Sequence, residues 1–210
     1  MLYNQAFIRI IIIAVIGAVF ISTNGWCSLS SSVRKYKNTS VHKSDIRKLA
    51  RYDHLIRYFA HFSYFVPKHK VSPDFIRALI LAESGANPTA VSNKHALGLG
   101  QILLSTGKQA AKELSKSKTH FKYVSKSKLR NLRRNDLLDP ATNILITCYL
   151  IAKYNYKFDG KLDLVVSAWN AGENTKTLAQ GKHAPYRETE NLIGKVNAYY
   201  VYLLKNNIFP

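Results

Sequence analysis

The chain is short of cysteine, of acid, of strand-like alternation and of long apolar runs. Two cysteines, Cys27 and Cys148, in 210 residues rule out a disulfide framework and offer no metal-ligand spacing. Histidines do not fill that gap. His42, His54, His61 and His69 lie in one region, but none forms the i, i+4 pair of a helical zinc site. No metal and no cofactor are expected, and stability must come from an apolar core. A hydrophobic fraction of 47% over this length is enough for one ordinary domain. Acids number 12 against 31 lysines and arginines, giving a formal net charge of +19. That imbalance implies a polyanionic partner: nucleic acid, an anionic lipid surface or an anionic cell-wall polymer. The one long apolar run, Ile10 to Ile21, is short for a membrane span.

What is present begins with that run. Arg9 precedes it and small residues up to Ser28 follow it, so residues 1–27 read as a signal peptide. An N-terminal anchor through residues 7–21 is the alternative. Both readings place the rest of the chain outside a membrane, in a periplasm or cell envelope. Residues 28–43, rich in Ser, Lys and Arg, are expected to be a basic flexible linker. Residues 44–66 follow a three-and-four spacing and are expected to form an N-terminal helix. Residues 67–210 are left as the main domain.

Within that domain the first strong pattern is Ser72-Pro73, then an apolar run from Phe75 to Ala82, then Glu83-Ser84-Gly85. A capping hydroxyl and a proline start a helix, and Gly85 with Pro88 ends it. Glu83 falls in register with apolar residues at the C-terminal end. Burial and the negative helix end both favour its protonated form, which suits a general acid. The segment 86–102 reads as a loop tightening into a glycine turn at Gly98 and Gly100. No strand precedes these glycines and no third one follows, which excludes a dinucleotide fingerprint. The stretch 115–134 interleaves eight basic residues with Phe121 and Tyr123. Such a pattern can bind nucleic acid, but export favours a solvated cationic surface or a wall-polymer contact. Asp139-Pro140 opens a broadly apolar helix, a short one runs from Leu162 to Trp169, and the last runs from Tyr186 to Leu204. The fold class is all-α, with at most one small irregular hairpin in the loop after Glu83.

Four pieces now fall into order: Glu83-Ser84, Gly98-Leu99-Gly100-Gln101, Ala168-Trp169-Asn170-Ala171-Gly172 and Pro185-Tyr186-Arg187-Glu188-Thr189-Glu190. With Asn143-Ile144 they resemble the catalytic domain of soluble lytic transglycosylases, over roughly residues 65–205. The resemblance implies a goose-type lysozyme-like fold. It also implies a groove for peptidoglycan glycan strands and cleavage of the MurNAc-β-1,4-GlcNAc bond without water, leaving 1,6-anhydromuramic ends. By the same resemblance Glu83 is the catalytic residue. Ser84, Ser92, Gln101, Trp169, Asn170, Tyr186 and Glu188 match substrate-side or supporting positions. Two residues depart from the pattern: Gly100 stands where the family often has Met, and Trp169 where it often has Tyr. A glycosidase normally uses two carboxylates, and none follows Glu83 within thirty residues except Glu113 in an ordinary Lys-flanked helix. The expected partners are peptidoglycan strands and the anionic wall surface, with a secretion or conjugation apparatus as a further candidate. No nucleic acid is expected, and the chain is expected to act as a monomer. The competing readings are a hydrolytic muramidase, a non-catalytic wall-binding protein and an exported nucleic-acid binder.

Overall fold

A computed structural model describes residues 26–210, with side chains from residue 29 onward. The signal-peptide and anchor readings rest on residues before these and lie outside the described residues. Ten α-helices carry the described chain: α1 Trp26–Tyr36, α2 Lys43–Ala50, α3 Asp53–Ala60, α4 Pro73–Ser84, α5 Leu104–Lys116, α6 Lys126–Arg130, α7 Pro140–Lys157, α8 Leu162–Ala171, α9 Lys176–Ala179 and α10 Arg187–Lys205. Two short 3₁₀ turns, Pro67–His69 and Arg134–Leu138, join them. Among the described residues the only extended pairing is two isolated bridges, Val91 with Leu97 and Leu97 with Ile102. The expected irregular hairpin is reduced to those two bridges.

The core is built around α4. Ser72 Oγ accepts the Phe75 N–H at 3.4 Å, and Pro73 sets the first turn. Gly85 closes the helix at φ 58°, a left-handed value that glycine adopts without strain. Ile76 through Ala82 are all buried, because α2, α3 and α10 pack around α4. Arg77 is among the buried residues, at 2% exposure. It donates to Asp53 and Asp74, and its guanidinium lies 4.5 Å from the Phe209 ring centre. A buried charge is tolerated when paired in this way.

α7 is the second structural axis. Asp139 accepts from the Thr142 N–H at 3.3 Å and from its hydroxyl at 2.6 Å, and Pro140 again takes the first helical position. Ala141 through Ala152 are buried without interruption. Cys148 is a buried free thiol, and desolvation raises its pKa. It is a packing residue.

Two expectations about the N-terminal region are corrected. Residues 28–43 do not form a flexible linker throughout, since α1 runs to Tyr36 and packs along α10. Leu29 and Val41 are buried. The contact depends on a small residue in α10: a Cβ on Gly194 would stand 2.7 Å from the Ser32 carbonyl oxygen. The missing side chain at Gly194 therefore lets the two helices approach closely. The single helix expected over 44–66 is two helices, α2 and α3, broken at Arg51-Tyr52. The break puts Asp53 in the first turn of α3, where the helix dipole favours an acid and where it meets Arg77.

Candidate active site

A groove of about 550 Å³ opens between the 92–106 segment on one side and the ends of α8 and α10 on the other. Glu83, Ser92, Gln101, Trp169, Asn170 and Glu188 all line it, together with Lys94, Leu150 and Tyr154. These residues lie far apart in sequence. The fold joins them by bringing three helix ends and one turn to one place: the C-terminus of α4, the glycine turn, the C-terminus of α8 and the N-terminus of α10.

Glu83 sits at the inner end. Trp169 Nε1 donates to its Oε1 at 2.7 Å. Burial pushes the Glu83 pKa up to about 7; the Trp169 hydrogen bond and the positive charge of Lys195 lower it, and Glu188 raises it. Desolvation wins because the carboxyl is taken from water and receives one neutral donor in exchange. The group can therefore hold a proton at neutral pH and still exist as a carboxylate. Trp169 takes the place often held by Tyr and supplies a donor that cannot itself ionise in the working range.

The glycine turn is held from behind by α7. The buried Asn143 amide donates to the Leu97 and Leu137 carbonyl oxygens at 2.9 and 2.7 Å, and its Oδ1 accepts the Gly100 N–H at 2.8 Å. Gly98 has φ +72°, and a Cβ there would stand 2.3 Å from the Leu137 carbonyl oxygen. At Gly100 a Cβ would meet Thr147 Oγ1 at 2.4 Å and lie 3.5 Å from Trp169 Cζ2. The two departures from the family pattern thus lie side by side, and the space a side chain at 100 would take is occupied by Thr147 from α7.

The remaining sequence-predicted residues divide by what they touch. Ser84 is absent from the groove lining: its hydroxyl donates to the Leu99 carbonyl at 2.8 Å and to the Ile80 carbonyl at 3.2 Å. It ties the end of α4 to the glycine turn, the supporting one of the two roles expected for it. Tyr186 also stands outside the lining, 55% exposed, at the start of α10. Ser92 Oγ accepts the Ala96 N–H at 3.0 Å, and Gln101 gives its amide hydrogens to the Ala90 and Gly98 carbonyls. Both line the groove while shaping their own loop. Asn170 Oδ1 accepts the Thr189 hydroxyl at 2.6 Å. Glu188 pairs with Lys94 at 2.5 Å, and hydrogen bonds from Lys94 and Asn170 hold its pKa below the usual carboxylate range. Glu188 is therefore a charged rim group beside a protonatable Glu83. Asn143, Lys94 and Lys195 were not singled out for these roles by the sequence. A polar residue inside an otherwise apolar helix was the available signal for Asn143; the two lysines had none within so basic a chain.

The fold and site define a lysozyme-like helical domain whose groove is centred on one desolvated carboxyl group. The chain belongs to the transglycosylase SLT domain family, whose model matches residues 64–192. It is 29% identical over 167 residues to a Haemophilus influenzae protein named as a soluble lytic murein transglycosylase, a match covering 73% of this chain and 26% of that protein. It is 32% identical over 123 residues to the endo-type membrane-bound lytic murein transglycosylase A of Cronobacter sakazakii, covering 58% of this chain and 59% of that one. The chain thus spans only part of the length of these curated relatives. Among solved structures, the 70 kDa soluble lytic transglycosylase of Escherichia coli superposes with a TM-score of 0.56 at 25% identity, covering 74% of this chain and 24% of that one. An inactive mutant of the lytic transglycosylase Slt of Pseudomonas aeruginosa superposes with a TM-score of 0.51 at 18% identity, covering 80% and 25% of the two chains, and so shares the fold.

Proposed function

We propose that this chain is a peptidoglycan lytic transglycosylase that cleaves the MurNAc-β-1,4-GlcNAc bond with Glu83 as its only acid and base. The observation that carries the reading is the desolvated Glu83 carboxyl, poised near pH 7 in a saccharide-sized groove and held by Trp169. Protonated Glu83 gives its proton to the glycosidic oxygen, and the GlcNAc chain leaves with it. The carboxylate so formed is stabilised by the Trp169 N–H. It then takes the proton of the muramic C6 hydroxyl as that oxygen bonds to C1, closing the 1,6-anhydro ring and restoring the acid. An intramolecular nucleophile carries an effective concentration of about 10⁵–10⁸ M, so no second carboxylate is needed to activate water.

One observation favours a second reading. Glu188 is another carboxylate in the groove lining, and a hydrolase of this fold would use such a group to position water. Its pairing with Lys94 weakens it as a base. Digestion in water labelled with heavy oxygen separates the two: a lyase incorporates no label at the new muramic end, and a hydrolase incorporates one atom per cleavage.

The pH profile follows from the acid role. Activity requires protonated Glu83 in the free enzyme, so kcat/KM falls as pH rises through about 7. Trp169→Phe removes the donor that lowers this pKa. The alkaline limb is expected to move up by about one pH unit while the plateau rate drops. An unmoved limb in that variant would show that the indole does not act on Glu83.

The net charge of +19 supports attraction to the anionic wall. Activity on whole sacculi is then expected to fall more steeply with salt than activity on short uncharged glycans. Equal salt sensitivity would remove that explanation. Export to a periplasm or envelope, with service to a secretion or conjugation apparatus, fits a compact catalytic unit of this kind and belongs to the same proposal.

A further inference from the structure

The mechanism above uses only groove residues, but one charged side chain acts on Glu83 from behind the groove. The last carbonyls of a helix are unpaired acceptors carrying the negative end of its dipole. At the end of α4 the Gly85 N–H takes the Leu81 carbonyl, and the Asn87 N–H takes the Ser84 carbonyl. Ala82, immediately before the acid, has its carbonyl taken by the ammonium of Lys195 from α10, at 2.7 Å. Lys195 is not part of the groove lining.

We propose that Lys195 is the electrostatic positioning residue for Glu83, capping the helix end on the Ala82 carbonyl and stabilising the carboxylate that forms when the proton leaves. This rests on the transglycosylase reading of the groove. The placement has a chemical logic. A lysine bonded directly to Glu83 would hold it ionised and abolish the acid. Anchored on the preceding peptide, the ammonium eases charge formation on Glu83 and does not take its proton.

The groups around the pair are few. Facing Glu83 are Trp169 from α8, and Glu188 and Lys195 from α10. Facing Lys195 are Glu83 itself and Asp45 from α2, and the Tyr199 ring centre lies 5.7 Å from its ammonium. Asp45 also pairs with Lys48 at 2.8 Å, and its carboxylate approaches Gly85 at the helix end. On α3, Asp53 is engaged with both Arg57 and Arg77, toward the start of α4. From α1, Lys35 reaches Asn191. Burial lowers the Lys195 pKa, while Glu83 and Asp45 raise it. Lys195 is thus the positive charge the fold sets against the desolvation of the acid.

The test uses the full chain with Lys195→Met, Lys195→Gln and Lys195→Arg. Two quantities are read for each: the alkaline limb of kcat/KM, and the titration of the Glu83 carboxyl by carbon-13 NMR. Met and Gln are expected to move both upward by about half a pH unit or more and to lower the plateau kcat several-fold. Arg, which keeps the charge, is expected to restore the wild-type values. Gln keeps a donor for the Ala82 carbonyl without the charge, so it separates capping from electrostatics. A Lys195→Gln protein with the wild-type limb and titration would overturn the proposal and leave Lys195 as a structural cap. If the titration shifts as expected but the unmodified protein cleaves no glycan, the electrostatic link stands and the transglycosylase reading fails.

Discussion

Glu83→Gln is expected to lower anhydromuropeptide release by about 10³-fold or more, since one side chain supplies both proton transfers and each is worth about 10²–10⁴. The loss is not one of folding. A carboxyl whose pKa is raised on folding adds no cost below its unfolded value of about 4.5, and it costs stability as pH rises from there to its folded value, here about 7. Gln at position 83 should leave the melting temperature unchanged at acid pH and raise it at pH 8. Rates on purified sacculi together with melting curves at the two pH values check both halves. Turnover within a few-fold of the unmodified protein would remove Glu83 from the chemistry, whatever the melting curves show.

Asn143→Ala is expected to have the largest effect away from the acid. Its side chain makes three buried hydrogen bonds that join α7 to the turn carrying Gly98, Gly100 and Gln101. Alanine leaves the Leu137 carbonyl and the Gly100 N–H without these partners in a site closed to water, while the Leu97 carbonyl keeps the Ile102 N–H at 3.0 Å. Unsatisfied buried groups cost about 1–3 kcal/mol each, and allowing for relaxation the total is about 3 kcal/mol. For a chain of this size that corresponds to a fall in melting temperature of about 10 °C. The turn forms one wall of the groove, so substrate affinity should weaken along with stability. Calorimetry and glycan binding report these separately. A fall of less than about 2 °C would mean that the turn is held mainly by its own contacts, among them the Ser84 bond to Leu99 and the Gln101 amide bonds.

The helix bearing Glu83 could be read from the sequence because its signals are local: Ser72-Pro73 at one end, Gly85 at the other, an apolar run between them. The opening of α7 was legible for the same reason, in Asp139-Pro140. What escaped was set by tertiary contact. α1 looks like a linker because it is rich in Ser and ends in Arg34 and Lys35; its packing on α10 uses Gly194, some 160 positions later, which gives Ser32 room to approach. The break between α2 and α3 sets Asp53 in the first turn of α3, where it meets Arg77. The groove residues were visible as motif positions, yet the motif could not say which side chains face substrate. Ser84 spends its hydroxyl on the Leu99 carbonyl, and Tyr186 turns to solvent. Lys195 was one lysine among many until the fold placed it on the Ala82 carbonyl.

The two departures from the family pattern also become intelligible only in three dimensions. Gly100 and Trp169 are separated by α5, α6, α7 and most of α8, yet a Cβ on one would lie against the indole of the other. Thr147 fills the place that a side chain at 100 would take, and the indole keeps a donor on Glu83.

The central claim is that Glu83 works alone, with the substrate's own C6 hydroxyl as nucleophile. Mass spectrometry of the muropeptides released from purified peptidoglycan tests it most directly. The account predicts 1,6-anhydromuramic ends in the products of the unmodified chain and none with Glu83→Gln. Reducing muramic ends as the main product would contradict it, and would assign the groove to a hydrolase in which a second group, Glu188 first among the candidates, positions water.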